Sequence, residues 1–195
     1  SNLNTIKNIF SFYSNKKTLF ERIHWINADL TNPIAINNSL KNIDTVFHCA
    51  AMVSFNPHKK DLLLETNYIG TKNLVNLCLK HSVSKFCFVS SIATLSSTKS
   101  SDFLDEHSWF SFDEKKSNYA ISKYLAEMEV WRGFSEGLNG FIINPSLIIG
   151  PGDTNSLFSN MIKKLKNTTI FYPKGGTGFV DVRDVANILI KLEKL

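Results

Sequence analysis

No stretch of this chain approaches the roughly 18 consecutive apolar residues that span a bilayer, and no signal-peptide pattern opens it. A membrane is not an expected partner, and a cytoplasmic location is the expectation. Cysteine is scarce, with three residues at Cys49, Cys78 and Cys87. An odd number in apolar surroundings, without the spacing of metal ligands, argues against a disulfide framework or a zinc site and for reduced core residues. Cys49 in particular reads as packing, because its strand offers no basic neighbour to make the thiol reactive. Acidic residues are outnumbered, 17 against 22 lysines and arginines, for a net charge of +5. Yet the lysines fall in scattered pairs such as Lys16/Lys17, Lys59/Lys60, Lys115/Lys116 and Lys163/Lys164, never in a block. A nucleic-acid surface gathers its basic residues on one face, so these read as a solvated exterior and no nucleic-acid partner is expected. Disorder is unexpected too, since 43% hydrophobic and 20% charged residues over 195 positions suit one domain with a substantial core.

A phosphate-binding turn is also missing. A dinucleotide-binding α/β domain ordinarily opens with a strand, a glycine-rich turn and a helix, whereas here the helix-like "SNLNTIKNIFSFYSNKKTLFERIHW" leads straight into a strand. "GGTG" (175–178) precedes the strand "FVDV" rather than following one, so it reads as a turn. "GPGD" (150–153) follows a strand and reads as a loop exit near the carboxyl edge of a sheet. The final "DVANILIKLEKL" stops within a helical pattern without a cap. A fragment is the expectation, lacking a first strand and its glycine-rich turn.

What is present alternates. Short runs rich in β-branched and aromatic residues, "IHWINAD" (23–29), "TVFHCAA" (45–51), "KFCFVSS" (85–91), "GFIINPSLII" (140–149) and "FVDV" (179–182), predict strands. Between them, Leu62, Leu63, Tyr68, Leu74, Leu77 and Cys78 fit one helical stripe, and "SNYAISKYLAEMEVWRGFSEG" has the same period. This alternation predicts an α/β fold with a doubly wound parallel sheet.

One pair on the second helix carries chemistry. Tyr119 and Lys123 are four residues apart and share a helical face, with Cβ atoms roughly 5–6 Å apart. A free phenol has a pKa near 10 and is a poor base; a nearby ammonium, shielded from water, is expected to make it more acidic. Such a tyrosine can exchange a proton with a substrate oxygen while hydride moves at the adjacent carbon. The pair follows "SSTKSSDFLDEHSWFSFDEKKSN", too long for a simple connector and so a candidate active-site loop, in which Asp105, Glu106 and Trp109 read as solvated loop rather than lid. Upstream, a strand ends in Ser90 and Ser91, either of which can orient the same oxygen.

Together these motifs resemble the extended short-chain dehydrogenase/reductases, a family of nucleotide-sugar epimerases and dehydratases, dihydroflavonol reductase-like enzymes and hydroxysteroid dehydrogenases. The resemblance runs from residue 23 to 190. It implies a Rossmann-like fold and NAD or NADP as cofactor. "NADL" implies that Asp29 and the backbone at Leu30 hold the adenine ring. "VFHCAA" implies that Ala50 and Ala51 line the ribose region with His48 close by, and "TNYIGTKNLV" that Asn67 supports the active-site backbone. "FVSSIATL" with "YAISK" implies Ser91 as catalytic serine, Tyr119 as acid/base, and Lys123 as its activator and ribose anchor. "INPSLIIGPG" implies that Pro145 and Ser146 approach the nicotinamide, and "GFVDVRDVA" resembles a late motif ahead of the substrate-capping region.

The implied organisation is a partial dinucleotide-binding domain over 1–150 and the start of a substrate-binding region over 151–195. The implied partners are a small-molecule substrate and a second copy in a homodimer. The implied activity is hydride transfer at a carbonyl or alcohol carbon. A nucleotide-sugar epimerase or dehydratase, and a non-catalytic dinucleotide-binding fragment, stand as alternatives.

Overall fold

In a computed structural model, the described residues are 3–11, 16–96, 104–112, 115–151 and 176–195. Two short helices, α1 (Leu3–Phe10) and α2 (Lys16–Glu21), occupy the helix-like start. Phe20 bridges α1 and the extended segment after α2, packing edge-on to Phe10 and tilted on Trp25. Helix α3 (Pro33–Ser39) starts where its sequence dictates. Asn32 accepts hydrogen bonds from the Ile34 and Ala35 amides, and Pro33 occupies the first turn, where it has no amide to waste.

Next in the chain are three parallel strands, β1 (Thr45–His48), β2 (Lys85–Val89) and β3 (Gly140–Ile143), side by side in that order. Register pairs Thr45 with Lys85 and Phe86 with Gly140. At Gly140 a β-carbon would collide with the Phe86 carbonyl, so only glycine lets β3 approach there. The connection from β1 to β2 runs through α4 (Lys60–Leu63), a π-helical turn (Leu64–Ile69) and α5 (Gly70–Lys80); that from β2 to β3 runs through α6 (Asn118–Ser135). Beyond β3 come β4 (Leu147–Ile149) and β5 (Phe179–Asp181), parallel to one another in a second, two-stranded sheet, and then α7 (Val182–Glu193).

Both faces of the three-stranded sheet are covered, which is why its central strand is apolar at consecutive positions: Phe86, Cys87 and Phe88 are all fully buried. Phe86 and Phe88 face the larger cluster, with Ile36 and Leu40 at α3, Leu74, Val75 and Cys78 of α5, and Ala126 and Val130 of α6. Cys87 points the other way, onto Val185 and Leu189 of α7. Thr45 and Lys85, where their strands start, bond Glu193 at the far end of α7. The doubly wound α/β expectation is met.

Four details differ from expectation. Residues 23–29 are not a strand: all are exposed, and among the described residues no strand lies beside them to complete a ladder. Residues 140–149 are not one strand, because Asn144, Pro145 and Ser146 interrupt it and Pro145 has no amide to offer a ladder. The π turn inserts an extra residue, so a 3.6-residue period read across it goes out of phase; Leu63, Leu74 and Cys78 are buried, but Leu62 is exposed. Cys78 and Cys87 are core residues as expected, whereas Cys49 is exposed.

Gly176, Thr177 and Gly178 run irregularly into β5. Gly175, Gly152 and Asp153 lie outside the described residues, as do Lys163/Lys164 and parts of the loop before α6. Within that loop Asp105 caps a turn by accepting from the His107 amide and the Ser108 hydroxyl, and Trp109 is exposed. No helix among the described residues is long and apolar enough to cross a membrane.

Candidate active site

The carboxyl ends of β1, β2 and β3 converge on the first turns of α6. Ser117 fixes where that helix begins, its side chain accepting from the Ala120 amide, so Tyr119 sits in the first turn and Lys123 one turn later. Ser91, just beyond β2, caps a 3₁₀ turn (Ile92–Thr94) by accepting from the Ala93 amide. Its side chain also acts on the Tyr119 phenol, opposing the rise in that group's pKa. Ser91, far from the Tyr119/Lys123 pair in sequence, is thus brought to the same edge.

Lys123 is 2% exposed, and its ammonium donates to the Val89 carbonyl at 2.9 Å and lies 4.2 Å from the Phe88 ring centre. Burial pulls its pKa down from 10.5 to about 8, opposed by Glu127 and Cys49. The phenol behaves differently from expectation. Burial pushes Tyr119 above its ordinary value, and the group acting against that push is Ser91 rather than Lys123. The ammonium is held by a main-chain carbonyl and an aromatic face.

Asn67 is buried on the π turn. Its carbonyl oxygen accepts from the Met52 amide at 2.7 Å, and its amide donates to the Met52 carbonyl and to the Ser122 hydroxyl, both at 2.9 Å. Ser122 in turn donates to the Tyr119 carbonyl at 2.8 Å. One side chain therefore ties the loop after β1 to the turn of α6 that carries the phenol. His48, at the end of β1, is buried with Nε2 2.8 Å from the Thr71 hydroxyl, which itself donates to the Asn67 carbonyl. Since the Thr71 proton is already used, the geometry calls for a proton on His48 Nε2. Burial, and secondarily the Lys123 charge, bring the His48 pKa down to about 3, so this imidazole is neutral.

Around this centre, Ala50 and Ala51 are exposed small residues just past β1. Cys49 beside them is exposed yet partly desolvated; that desolvation raises its thiol pKa and the Lys123 charge opposes the rise, so a basic neighbour does exist in space although none stands near in its strand. The Pro145 carbonyl accepts from the Ile92 amide, and Ser146 lies against Gly178, where a β-carbon would come within 3.1 Å. Asp29 and Leu30 stand farther along the rim. Asp29 Oδ1 accepts from the Thr31 amide and hydroxyl, which holds its carboxyl below the usual range. The Leu30 carbonyl accepts from Asn73, and a β-carbon on Gly70 would come 2.9 Å from Leu30 Cβ, so α5 and this turn are in close contact.

Sequence reasoning missed the polar groups behind the centre. Ser122, Thr71, Thr94, Glu127 and Asn144 are joined to the expected residues by hydrogen bonds. The spacing of Ser122 on the face of Tyr119 and Lys123 was the available signal for one of them; for the others only the fold reveals it.

The chain matches the NAD dependent epimerase/dehydratase family over residues 7–194. Among curated proteins it is similar to Cinnamoyl-CoA reductase 1 of Petunia hybrida, 30% identical over 176 residues that cover 85% of this chain and 52% of that protein. It is similar also to Tetraketide alpha-pyrone reductase 1 of Arabidopsis thaliana, 32% identical over 182 residues covering 85% and 55%. Among solved structures, that of gox2253 superposes with a TM-score of 0.78 at 29% identity, covering 86% of this chain and 52% of the other. DesIV, a dTDP-glucose 4,6-dehydratase from Streptomyces venezuelae solved with NAD and TYD bound, gives 0.73 at 22% identity, covering 85% and 53%, and speaks for the fold alone. The chain spans about half the length of the curated relatives it matches. With the family match running through nearly every residue that builds the sheet and its rim, the chain belongs to the NAD dependent epimerase/dehydratase family.

Proposed function

We propose that this chain carries the reaction centre of an NAD(P)-dependent oxidoreductase that transfers hydride at a carbonyl or alcohol carbon. The observation that carries the reading is a half-buried Tyr119 phenol that responds to the Ser91 side chain and stands one helical turn from a buried ammonium. In the direction of reduction, Ser91 donates a hydrogen bond to the substrate oxygen and polarises it. Tyr119 gives its proton to that oxygen as negative charge develops there. Lys123 supplies positive charge near the phenolate left behind. Asn67 keeps the Tyr119 turn in register with the loop after β1. The bound nicotinamide supplies or accepts the hydride.

The rim suits an elongated ligand such as a dinucleotide. Ala50 and Ala51 leave the end of β1 uncrowded, and the tight Gly70–Leu30 contact sets the Asp29 turn on the same side of the sheet. In this reading Asp29 and Leu30 hold the adenine, Ala50 and Ala51 the ribose region, Lys123 a ribose hydroxyl, and Pro145 and Ser146 the nicotinamide side. The substrate-binding region spans 151–195 and includes the returning β5 and α7. We also place the protein in the cytoplasm and in a homodimer; exposed Ile69, Met128 and Trp131 supply an apolar surface for the latter, and sedimentation as a monomer would remove the dimer.

The reading is tested on the protein that contains this sequence, with NADH and NADPH against aldehydes and ketones. Tyr119→Phe should lower kcat by about a hundredfold to ten-thousandfold with the fold intact, and unchanged turnover would overturn the mechanism. The family match also admits an epimerase or dehydratase. Turnover of sugar nucleotides without net consumption of reduced cofactor would favour that second reading over the reductase.

A further inference from the structure

Behind Lys123, one turn along α6, Glu127 is buried at 9% exposed. A carboxylate there is costly unless its oxygens are hydrogen-bonded. Its Oε2 accepts from the Ser90 hydroxyl at 2.5 Å, and from the Thr94 hydroxyl at 3.1 Å and the Asn144 amide at 2.9 Å. These donors come from three places: the end of β2, the 3₁₀ turn behind Ser91, and the loop after β3. The one Thr94 hydroxyl proton is shared between Glu127 Oε2 and the Ser91 carbonyl 2.9 Å away, and Asn144 Nδ2, which donates to Thr94 Oγ1 at 2.9 Å, lies 3.4 Å from that carbonyl, so Glu127 and the backbone of Ser91 draw on the same donors.

We propose that Glu127 is a positioning residue that holds Ser91 in place through Thr94 and Asn144 and, through its negative charge, keeps the Lys123 side chain protonated. The inference rests on the oxidoreductase reading for its effect on turnover, but not for its effect on Lys123. A neutral acceptor would meet the packing need equally well; the charge has a use because an ammonium lies one turn away. The titratable groups acting on Lys123 are Glu127 from α6 and Cys49 from beyond β1, while His48 on β1 is neutral. Its other close neighbours, the Val89 carbonyl and the Phe88 ring, do not titrate.

The test compares Glu127→Gln, Glu127→Ala and Thr94→Val, with Lys123 followed by NMR of ¹⁵N-labelled lysine side chains and its resonance identified by loss in Lys123→Met. Glu127→Gln keeps an acceptor and removes the charge, so the Lys123 midpoint should fall by about one pH unit or more. Thr94→Val cuts the path to Ser91 and leaves the charge, so kcat should drop about tenfold or more while KM and the Lys123 midpoint stay put. Glu127→Ala combines both losses; should it fail to fold, the other two variants still decide. A Lys123 midpoint unmoved in Glu127→Gln overturns the electrostatic part, and full kcat in Thr94→Val overturns the positioning part. Failure of the underlying reading shows separately, as full turnover in Tyr119→Phe with the Lys123 midpoint still responding to Glu127→Gln.

Discussion

Two regions of this molecule bury side chains about equally well and for different ends. In the apolar layer on the sheet, Phe86, Phe88, Val75 and Val130 are fully buried among one another. At the rim, His48, Asn67, Thr71, Ser122, Lys123 and Glu127 are nearly as inaccessible, yet every one is polar. Helix α6 belongs to both, with Ser122, Lys123 and Glu127 at the rim and Val130 and Gly133 in the layer. The layer gains free energy by removing apolar area from water. The rim loses hydration and recovers it through specific partners, and among the described residues no buried side-chain nitrogen or oxygen is without one. The rim should therefore respond to pH and the layer to shape.

The largest expected effect is acid destabilisation through His48. Its pKa is 6.5 when unfolded and about 3 when folded. Between those values the unfolded chain binds a proton that the native state refuses, so stability is complete above about 6.5 and declines as pH falls toward 3. At about 1.4 kcal/mol per unit, the full span costs on the order of 5 kcal/mol. Asp29 and Asp181, whose folded values lie below 3.8, add acid sensitivity only in the lower part of that range. Urea unfolding of the wild type and His48→Gln from pH 7 to 4 should show a clearly steeper loss of stability in the former. Equal slopes would mean that the imidazole is not sealed from water.

Lys123 predicts a smaller change of the same sense at alkaline pH. Unfolded, it keeps its proton to about 10.5; folded, it loses it near 8. Across that window the unfolded chain binds more protons, so this group makes stability rise with pH, by roughly 3 kcal/mol in full. Cys78 and Cys87, with buried thiols pushed up to about 12 and about 11, pull the other way above pH 9. The informative quantity is the difference between wild type and Lys123→Met, which should grow from pH 8 upward. A flat difference would show the ammonium to be hydrated.

The same division explains what was legible in the sequence. Elements of the layer announced themselves: the apolar run of β2 and the periodicity of α6 each arise from a few consecutive residues. Residues 23–29 have the composition of a strand but, among the described residues, no partner beside them, and a strand is made by its neighbour. Pro145 did carry the information that 140–149 must break, since it cannot donate to a ladder. At the rim, Ser91, Tyr119 and Lys123 were legible because their motifs are local. Glu127, four residues from Lys123 and two from Glu129, looks like part of a solvated helix face. Only donors from residues 90, 94 and 144 reveal it as buried, and that convergence is a property of the fold.

The smallest effect tests whether layer and rim are separable along α6. Gly133 is buried, and a β-carbon there would meet Val75 Cγ1 at 2.6 Å. Val75 is fully buried, and its β-branched side chain has few rotamers into which to retreat. Gly133→Ala gains about 1 kcal/mol in helix propensity and costs about 1–3 kcal/mol in overpacking. The net is a destabilisation of about 1 kcal/mol, read as a lower urea midpoint with unchanged slope. Tyr119 lies nearly four turns away toward the other end of the helix, its turn fixed by Ser122 and Asn67 rather than by Val75. Turnover by the folded protein should therefore hold at its wild-type level. If kcat falls while the midpoint barely moves, α6 transmits strain from the layer to the phenol as one rigid rod, and the two regions are a single mechanical unit.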